Sequence, residues 1–365
     1  MRIFHPVAVA AVLIFFAGCG VKTVGVSPGG EANATGHFVG FDALPGWDTV
    51  RAQAGLAALQ KQCRAREVAP MQAVCAEAAD ATDAMRFFRE NFRPFLLEEK
   101  GDAKGLMTGY YEPLLHGSRR QSAAYPYPLY APPEDLIHVD LDAVAPDLAY
   151  RHLRGRVSGN RLVPYPSRAQ INAGEINATA LCYVSSDIDL FFLQVQGSGR
   201  VELDDNTTLF VGHTDRNGHP YRSVGKRMVE EGMIPKDEIS LQSIRRYLEA
   251  HPDAKKRILE SNPSYIFFGI RQQGATGTLG VVLTPMHSVA VDRSRIPLGF
   301  PVYYAASDPL TGEPLDGLAM AQDTGSAIKG QVRADLFWGY GAKAEAKAGR
   351  MKSPLRLWLL VPKHD

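Results

Sequence analysis

After Gly101 the chain is written in short β-prone runs, LMTGYY, YPLY, LCYV, LFFLQVQGSGRVEL and TLFVGH, set apart by stretches rich in Gly and Pro. This punctuation constrains the fold more than any other feature, because short runs separated by turn residues are the pattern of strands in sheets. The texture returns from Tyr265 onward in YIFFGI, LGVVL, SVAVD, PVYYAA, LAMAQ and LRLWLLVP. Helical periodicity is confined to Thr49–Cys63, Met71–Phe92 and Tyr221–Leu259. The last of these is broken at Pro235 and Pro252 and closed by Asn262-Pro263-Ser264. The expected class is mainly β with helices, an α+β fold.

Composition removes several functions. The 40 Lys and Arg balance 39 Asp and Glu for a formal net charge of +1, without a long basic or acidic block. A nucleic-acid binder held by phosphates would show a basic excess, so no nucleic-acid partner is expected. Hydrophobic residues at 45% and charged residues at 22% are globular values, and 365 residues suggest two domains or one with a large insertion. There is no Walker loop, no HExxH and no dinucleotide fingerprint in a βαβ context. Nor is there a Gly-x-Ser-x-Gly elbow; Gln196-Gly197-Ser198-Gly199 comes closest. No cofactor is implied, and the cysteine spacing is not that of a zinc site.

The first residues read as a processing signal. Met1-Arg2 supplies a minimal positive start, and Val7–Ala17 is an uncharged apolar run too short to span a bilayer as a helix. It ends in Phe16-Ala17-Gly18-Cys19, which resembles a bacterial lipobox and makes Cys19 the expected lipidation site. Residues 1–18 are then a signal peptide, and Gly20 after the cysteine points to the periplasmic face of the outer membrane. Residues 19–40, rich in Gly, Ser, Thr and Asn, read as a flexible tether. Cys63 and Cys75 lie in neighbouring helical patterns of an exported chain and are expected to pair; the alternative is two buried thiols.

Three aspartates stand at strand ends beside turns: Asp292 after SVAV, Asp323 after LAMAQ, and Asp335 in RADLFWG. Such residues also serve as ordinary turn and cap groups. Asp335 has the best case for a raised pKa, provided folding packs Phe337 and Trp338 around it, because desolvation disfavours the carboxylate. A carboxyl kept protonated in this way can act as a general acid. Tyr110, Tyr111, Tyr125, Tyr127 and Tyr130 offer flat faces for sugar stacking, with core packing as the plainer role. Gln194, Gln196 and Ser198 bring neutral hydrogen-bonding groups to a strand end or a hairpin turn. Asp323-Thr324-Gly325-Ser326 looks like the loop of an aspartic protease, but no second copy occurs, so that reading needs a symmetric dimer.

TGYYEP (108–113), DLFFLQVQGSGRVEL (189–203), NPSYIFF (262–268), VAVDRSRIPLG (289–299) and AQDTGSAIKGQVRADLFWG (321–339) together resemble, in order, the membrane-bound lytic murein transglycosylase A (MltA) family. The last two stretches resemble its three-aspartate (3D) domain. The resemblance implies a double-psi β-barrel domain from residues 41–112 and 262–365, with the 3D domain over about 280–365. A smaller β-rich domain, 113–261, is inserted, and a glycan groove runs between the two. It further implies Asp335 as the single catalytic acid, with Asp323 and Asp292 in support, and a departure at Ser326 from the family's Asp-Thr-Gly-Gly. Thr108, Tyr110, Gln196 and Ser198 are the expected substrate contacts, and Lys329 and Arg333 either orient the carboxylates, meet the peptide stem or stay solvated. The implied partners are peptidoglycan glycan strands, the outer membrane through the lipid anchor, and other cell-wall enzymes. The implied activity is cleavage of the bond between N-acetylmuramic acid and N-acetylglucosamine. A wall-binding lipoprotein without catalysis is the alternative from another class.

Overall fold

The computed structural model describes residues 22–26, 32–141, 145, 147, 153–325 and 327–363. Cys19 and the signal segment, and Ser326 in the expected site loop, lie outside the described residues. Two sheets dominate. The nine-stranded sheet runs Lys22–Val26, Ala32–Phe38, Phe92–Leu97, Lys352–Pro362, Pro301–Ser307, Pro314–Asp323, Ser288–Val291, Arg333–Tyr340 and Gly105–Glu112. Its last strand also pairs with Lys352–Pro362, so six strands close into a ring. Closure removes the sheet edges inside that ring. Two of its pairings are parallel, Ser288–Val291 with Pro314–Asp323 and Arg333–Tyr340 with Gly105–Glu112.

One core fills the ring and the helices laid on it, with Leu56, Leu59, Phe88, Phe95, Phe300, Leu318 and Trp358 at its centre. The helix Thr49–Ala65 starts because Asp48 accepts the Arg51 N–H at 2.8 Å. It approaches the barrel at Gly55, where a Cβ would lie 2.2 Å from Leu318 Cδ2. The expected helical stretch Met71–Phe92 resolves into Gln72–Asp80 and Ala84–Asn91, the second capped by Asp83. A disulfide joins Cys63 to Cys75 across the first two helices.

The six-stranded sheet has the order Ile266–Arg271, Thr208–Arg216, Ser198–Leu203, Leu114–Ser118, Ala180–Val184 and Tyr127–Tyr130. A small antiparallel sheet, 137–139 with 153–158 and 161–163, flanks it. Helices Val224–Glu230, Leu241–Ala250 and Pro252–Leu259, broken near the two prolines as expected, share an apolar cluster with Ile188, Phe191 and Phe192. The two bodies meet at Arg245, which binds Asp189 at 2.5 Å and reaches Glu345 of the barrel helix Gly341–Ala348 at 3.4 Å.

Three expectations change. DLFFLQVQ is a helix, Asp187–Gln196, where the sequence reads as a strand run. A continuous apolar run has no periodicity to tell the two apart; Ser186 capping the Asp189 N–H and left-handed Gly197 (φ 82°) bound it as a helix. The tether expected over 19–40 contains two strands. Ala32–Phe38 pairs with Phe92–Leu97, Ala34 and Gly36 facing inward while Asn33 and His37 face water, an alternation that its linker-like composition conceals. A Cβ on Gly36 would meet the Leu96 carbonyl oxygen at 1.9 Å. Finally, Ile266–Arg271 belongs to the six-stranded sheet, so the chain returns to the barrel after residue 271 and not at 262.

Candidate active site

Arg333–Tyr340 lies between Ser288–Val291 and Gly105–Glu112, with Asp335 opposite Ala290 on one side and Thr108 on the other. Alternation along the strand sends Ala334 and Leu336 into the barrel core and leaves Asp335 and Phe337 on the other face. Phe337 therefore walls the site, its ring tilted 49° against that of Tyr110 with centres 5.2 Å apart. Trp338 points away, its indole N–H toward Met351 Sδ at 3.2 Å, so only one of the two expected aromatics shields the carboxyl.

A short chain of hydrogen bonds holds Asp335. Arg333 Nη2 donates to Thr108 Oγ1 at 2.9 Å, and the Thr108 hydroxyl donates to Asp335 Oδ1 at 2.5 Å. The guanidinium occupies the acceptor side of the hydroxyl, which directs the proton of Thr108 at the carboxylate. Among the described residues Asp335 Oδ2 accepts no hydrogen bond. Burial pushes the Asp335 pKa up from its ordinary value; Thr108 and Arg333 oppose that, and the Asp323 charge adds to it. The carboxyl thus combines a raised proton affinity with one free oxygen, the properties of a general acid.

Asp323 ends its strand opposite this carboxyl. Its Oδ1 accepts from the Thr278 amide and hydroxyl, both at 2.9 Å, and from the Thr324 amide at 2.8 Å. The buried Tyr110 hydroxyl lies beside the Asp323 carboxylate without a hydrogen bond of good geometry, and burial, together with the charges of Asp323 and Asp335 and the approach of Asp323 itself, raises its pKa well above the ordinary value. A buried hydroxyl near two carboxylates, short of a full hydrogen bond, is a donor that a ligand in the cleft can use.

Asp292 sits elsewhere. It accepts from Ser294 Oγ at 2.7 Å and from the Gly330 amide at 3.0 Å, and so fastens the loop that carries Lys329 and Gly330. Its pKa is lowered: burial, the largest influence, pushes it up, but these hydrogen bonds and the Lys329 charge outweigh it. Its side chain does not line the cleft.

That cleft has a volume of about 930 Å³ and runs between the barrel and the six-stranded sheet. Asp335, Asp323, Tyr110 and Phe337 form one wall; Gln196, Ser198, His213 and Arg271 form the other. Gln196 ends a helix and Ser198 begins a strand, so left-handed Gly197 turns both toward the cleft. Thr108 reaches the site through Asp335. Tyr127 and Tyr130 line a separate hollow of about 530 Å³, with Tyr125 in the adjoining turn, and Gln194 is buried. Among the described residues no cluster of three or more His, Cys, Asp and Glu is placed to hold a metal ion, and no helix is long and apolar enough to cross a membrane.

Several residues of the site escaped sequence reasoning. Glu112, 1% exposed, accepts from Arg200 Nε at 2.7 Å and from the Ala275 amide at 3.1 Å. Arg200 also lies 3.7 Å from the ring centre of Tyr340. This node ties the strand of Thr108 to the strand of Ser198 and to the loop that presents Thr278. Glu112 and Arg200 both stand in the quoted motifs, but their pairing across 88 positions leaves no local signal. His213 and Arg271 likewise meet only in the folded sheet, where Arg271 Nη2 donates to the His213 carbonyl at 2.7 Å.

Residues 106–269 match the family model of the MltA specific insert domain, and residues 287–361 match the 3D domain. The membrane-bound lytic murein transglycosylase A of Escherichia coli strain K12 is 34% identical over 264 residues, 69% of this chain and 64% of that protein, so the match spans less than two thirds of its length. Among solved structures, MltA from Neisseria gonorrhoeae superimposes with a TM-score of 0.84 at 34% identity, covering 94% of this chain and 95% of the other. MltA of E. coli with bound chitohexaose gives 0.69 at 25% identity, covering 89% and 93%. Two family models side by side, and a fold shared over nearly the whole length of the gonococcal structure, place this chain in the membrane-bound lytic murein transglycosylase A family.

Proposed function

We propose that this protein is a peptidoglycan lytic transglycosylase with Asp335 as its single acid and base. The observation that carries the proposal is the Asp335 carboxyl itself: raised in proton affinity, fixed through one oxygen and free at the other, on the wall of a cleft large enough for a sugar chain. Protonated Asp335 delivers its proton to the oxygen of the β-1,4 bond between N-acetylmuramic acid and N-acetylglucosamine. The bond breaks toward that oxygen and leaves oxocarbenium character at C1 of the muramic acid. The same carboxylate then takes the proton of the C6 hydroxyl, whose oxygen closes a 1,6-anhydro ring on C1. Atoms balance without water, so neither a second carboxylate as nucleophile nor a water-activating base is needed, unlike ordinary glycoside hydrolases.

Supporting roles follow from position. Asp323 raises the proton affinity of Asp335 through its charge and holds the Thr278 loop. Tyr110, Gln196 and Ser198 supply a donor and neutral polar groups for sugar hydroxyls and acetamides. Asp292 shapes the site from behind, through the 329–330 loop. The E. coli relative solved with chitohexaose, a β-1,4-linked amino-sugar chain, supports a ligand of this class. The name of the E. coli relative, a membrane-bound transglycosylase, supports membrane association; Cys19 is the proposed lipid anchor at the periplasmic face of the outer membrane.

Mass spectrometry of the soluble products from sacculi, for wild type and Asp335→Asn, tests the reading. Anhydro-muropeptides from wild type alone are expected. Reducing-end muropeptides would mean a hydrolase using a second carboxylate, with Asp323 the candidate. Binding without release by either protein would mean a wall-binding lipoprotein.

A further inference from the structure

The helix Asp187–Gln196 borders more than the cleft. Its Val195, 44% exposed, lines the cleft and also a second hollow of about 670 Å³ on the side of the helices Val224–Glu230 and Leu241–Ala250. Cleft and hollow therefore meet at one side chain. Their chemistry differs: the cleft shows carboxylates, amides and hydroxyls, whereas the hollow is floored by Phe192, Val224 and Ile244 and carries Lys226 and Lys236. Lys226 faces Glu230 at 3.6 Å, while Lys236 has no ion-pair partner among the described residues.

We propose that this hollow is the subsite for the anionic peptide borne by the muramic acid of the glycan, an inference that rests on the transglycosylase reading above. A glycan lying in the cleft must send its 3-O-lactyl peptide sideways out of the sugar track. At Val195 the exit leads onto an apolar floor that fits small aliphatic side chains, bordered by a lysine that fits a free carboxylate. A volume in the range of small-ligand sites, about 300–1,000 Å³, holds a short peptide. Sugar stacking belongs to the cleft; the hollow reads the substituent that separates peptidoglycan from other β-1,4 amino-sugar chains.

Two variants test it without touching the cleft. Lys236→Glu reverses the charge, and Gly225→Met fills the hollow, since a Cβ at Gly225 already lies 3.2 Å from Ile244 Cδ1. Each is assayed on peptide-bearing strands and on the same strands stripped by an amidase. The expected result is a loss of about 5- to 10-fold in kcat/KM on peptide-bearing strands, the scale of one charged contact, with stripped strands unaffected. Equal losses on both substrates, or none on either, would overturn the proposal. If wild type cleaves neither substrate, the transglycosylase reading fails. Calorimetric titration with the isolated stem peptide then judges the hollow alone: binding abolished by Lys236→Glu supports it, and no binding to wild type overturns it.

Discussion

Replacing Thr108 by valine keeps the volume of the side chain and removes the hydroxyl that donates to Asp335 Oδ1 at 2.5 Å and accepts from Arg333 Nη2 at 2.9 Å. Burial pushes the Asp335 proton affinity up, and this hydroxyl is the largest influence holding it down. A hydrogen bond to a charged group contributes about 1.5–3 kcal/mol. At about 1.4 kcal/mol per factor of ten, its loss lowers the ionisation constant of the acid by about 10- to 100-fold. The sign is fixed by what is removed: the Thr108 hydrogen bond favours the carboxylate, and of the influences left, desolvation and the Asp323 charge favour the protonated form while the Arg333 charge alone opposes them. The alkaline limb of the kcat/KM profile, which reports loss of the acid in the free enzyme, moves to higher pH in Thr108→Val. Arg333→Gln moves it the same way, and the double variant moves it less than the sum, because part of the guanidinium's influence passes through the hydroxyl. The assay is initial rate of glycan cleavage across pH. An alkaline limb that stays in place or shifts to lower pH in Thr108→Val would refute Asp335 as the titrating acid held by this hydroxyl.

Other perturbations have equally definite signs. Asp335→Asn, expected to be inactive, should not lose stability at neutral pH. The folded-state pKa of Asp335 is raised, so its favourable contribution is full below the unfolded value of 3.8 and is lost as pH rises through the folded value. The melting temperature of the asparagine variant relative to wild type should therefore climb across that window and then level off; a constant deficit at every pH would contradict the raised pKa. Glu112→Ala leaves Arg200, 23% exposed, without its ion-pair partner and should cost about 3–5 kcal/mol by denaturant unfolding. The same variant should speed amide exchange at Ala275, which donates to that carboxylate. Cys63→Ser with Cys75→Ser opens a loop closed across 12 positions and should lower stability by about 3 kcal/mol with cleavage retained.

Much of the lining of this cleft was legible as text because its carboxylates stand in unusual local settings. An aspartate beside aromatic residues in a β-prone run, and another closing a strand before Thr-Gly, stand out without a structure. The helical stretches at the start showed in their 3.6-residue period, although the break that makes two helices of the second did not. Other features were hidden for physical reasons. The apolar run at Asp187–Gln196 had no period, so only its cap and its left-handed glycine made it a helix. The strand Ala32–Phe38 carried small residues inward, and its composition imitated a linker. Barrel closure depends on Lys352–Pro362 pairing with residues about 245 positions earlier, a register that no window of sequence contains. The Glu112–Arg200–Ala275 node was invisible for the same reason, and the direction of Trp338 away from Asp335 followed from strand alternation once the core face was known.

The claim that one carboxyl serves as acid and then base, with the C6 hydroxyl as nucleophile, is tested most directly by digesting sacculi in ¹⁸O-labelled water and weighing the muramic acid ends. Cleavage by this protein is predicted to place no ¹⁸O in its products and to leave 1,6-anhydro termini. One ¹⁸O at C1 for each bond broken would mean that water attacks, and the single-carboxyl account of Asp335 would be wrong.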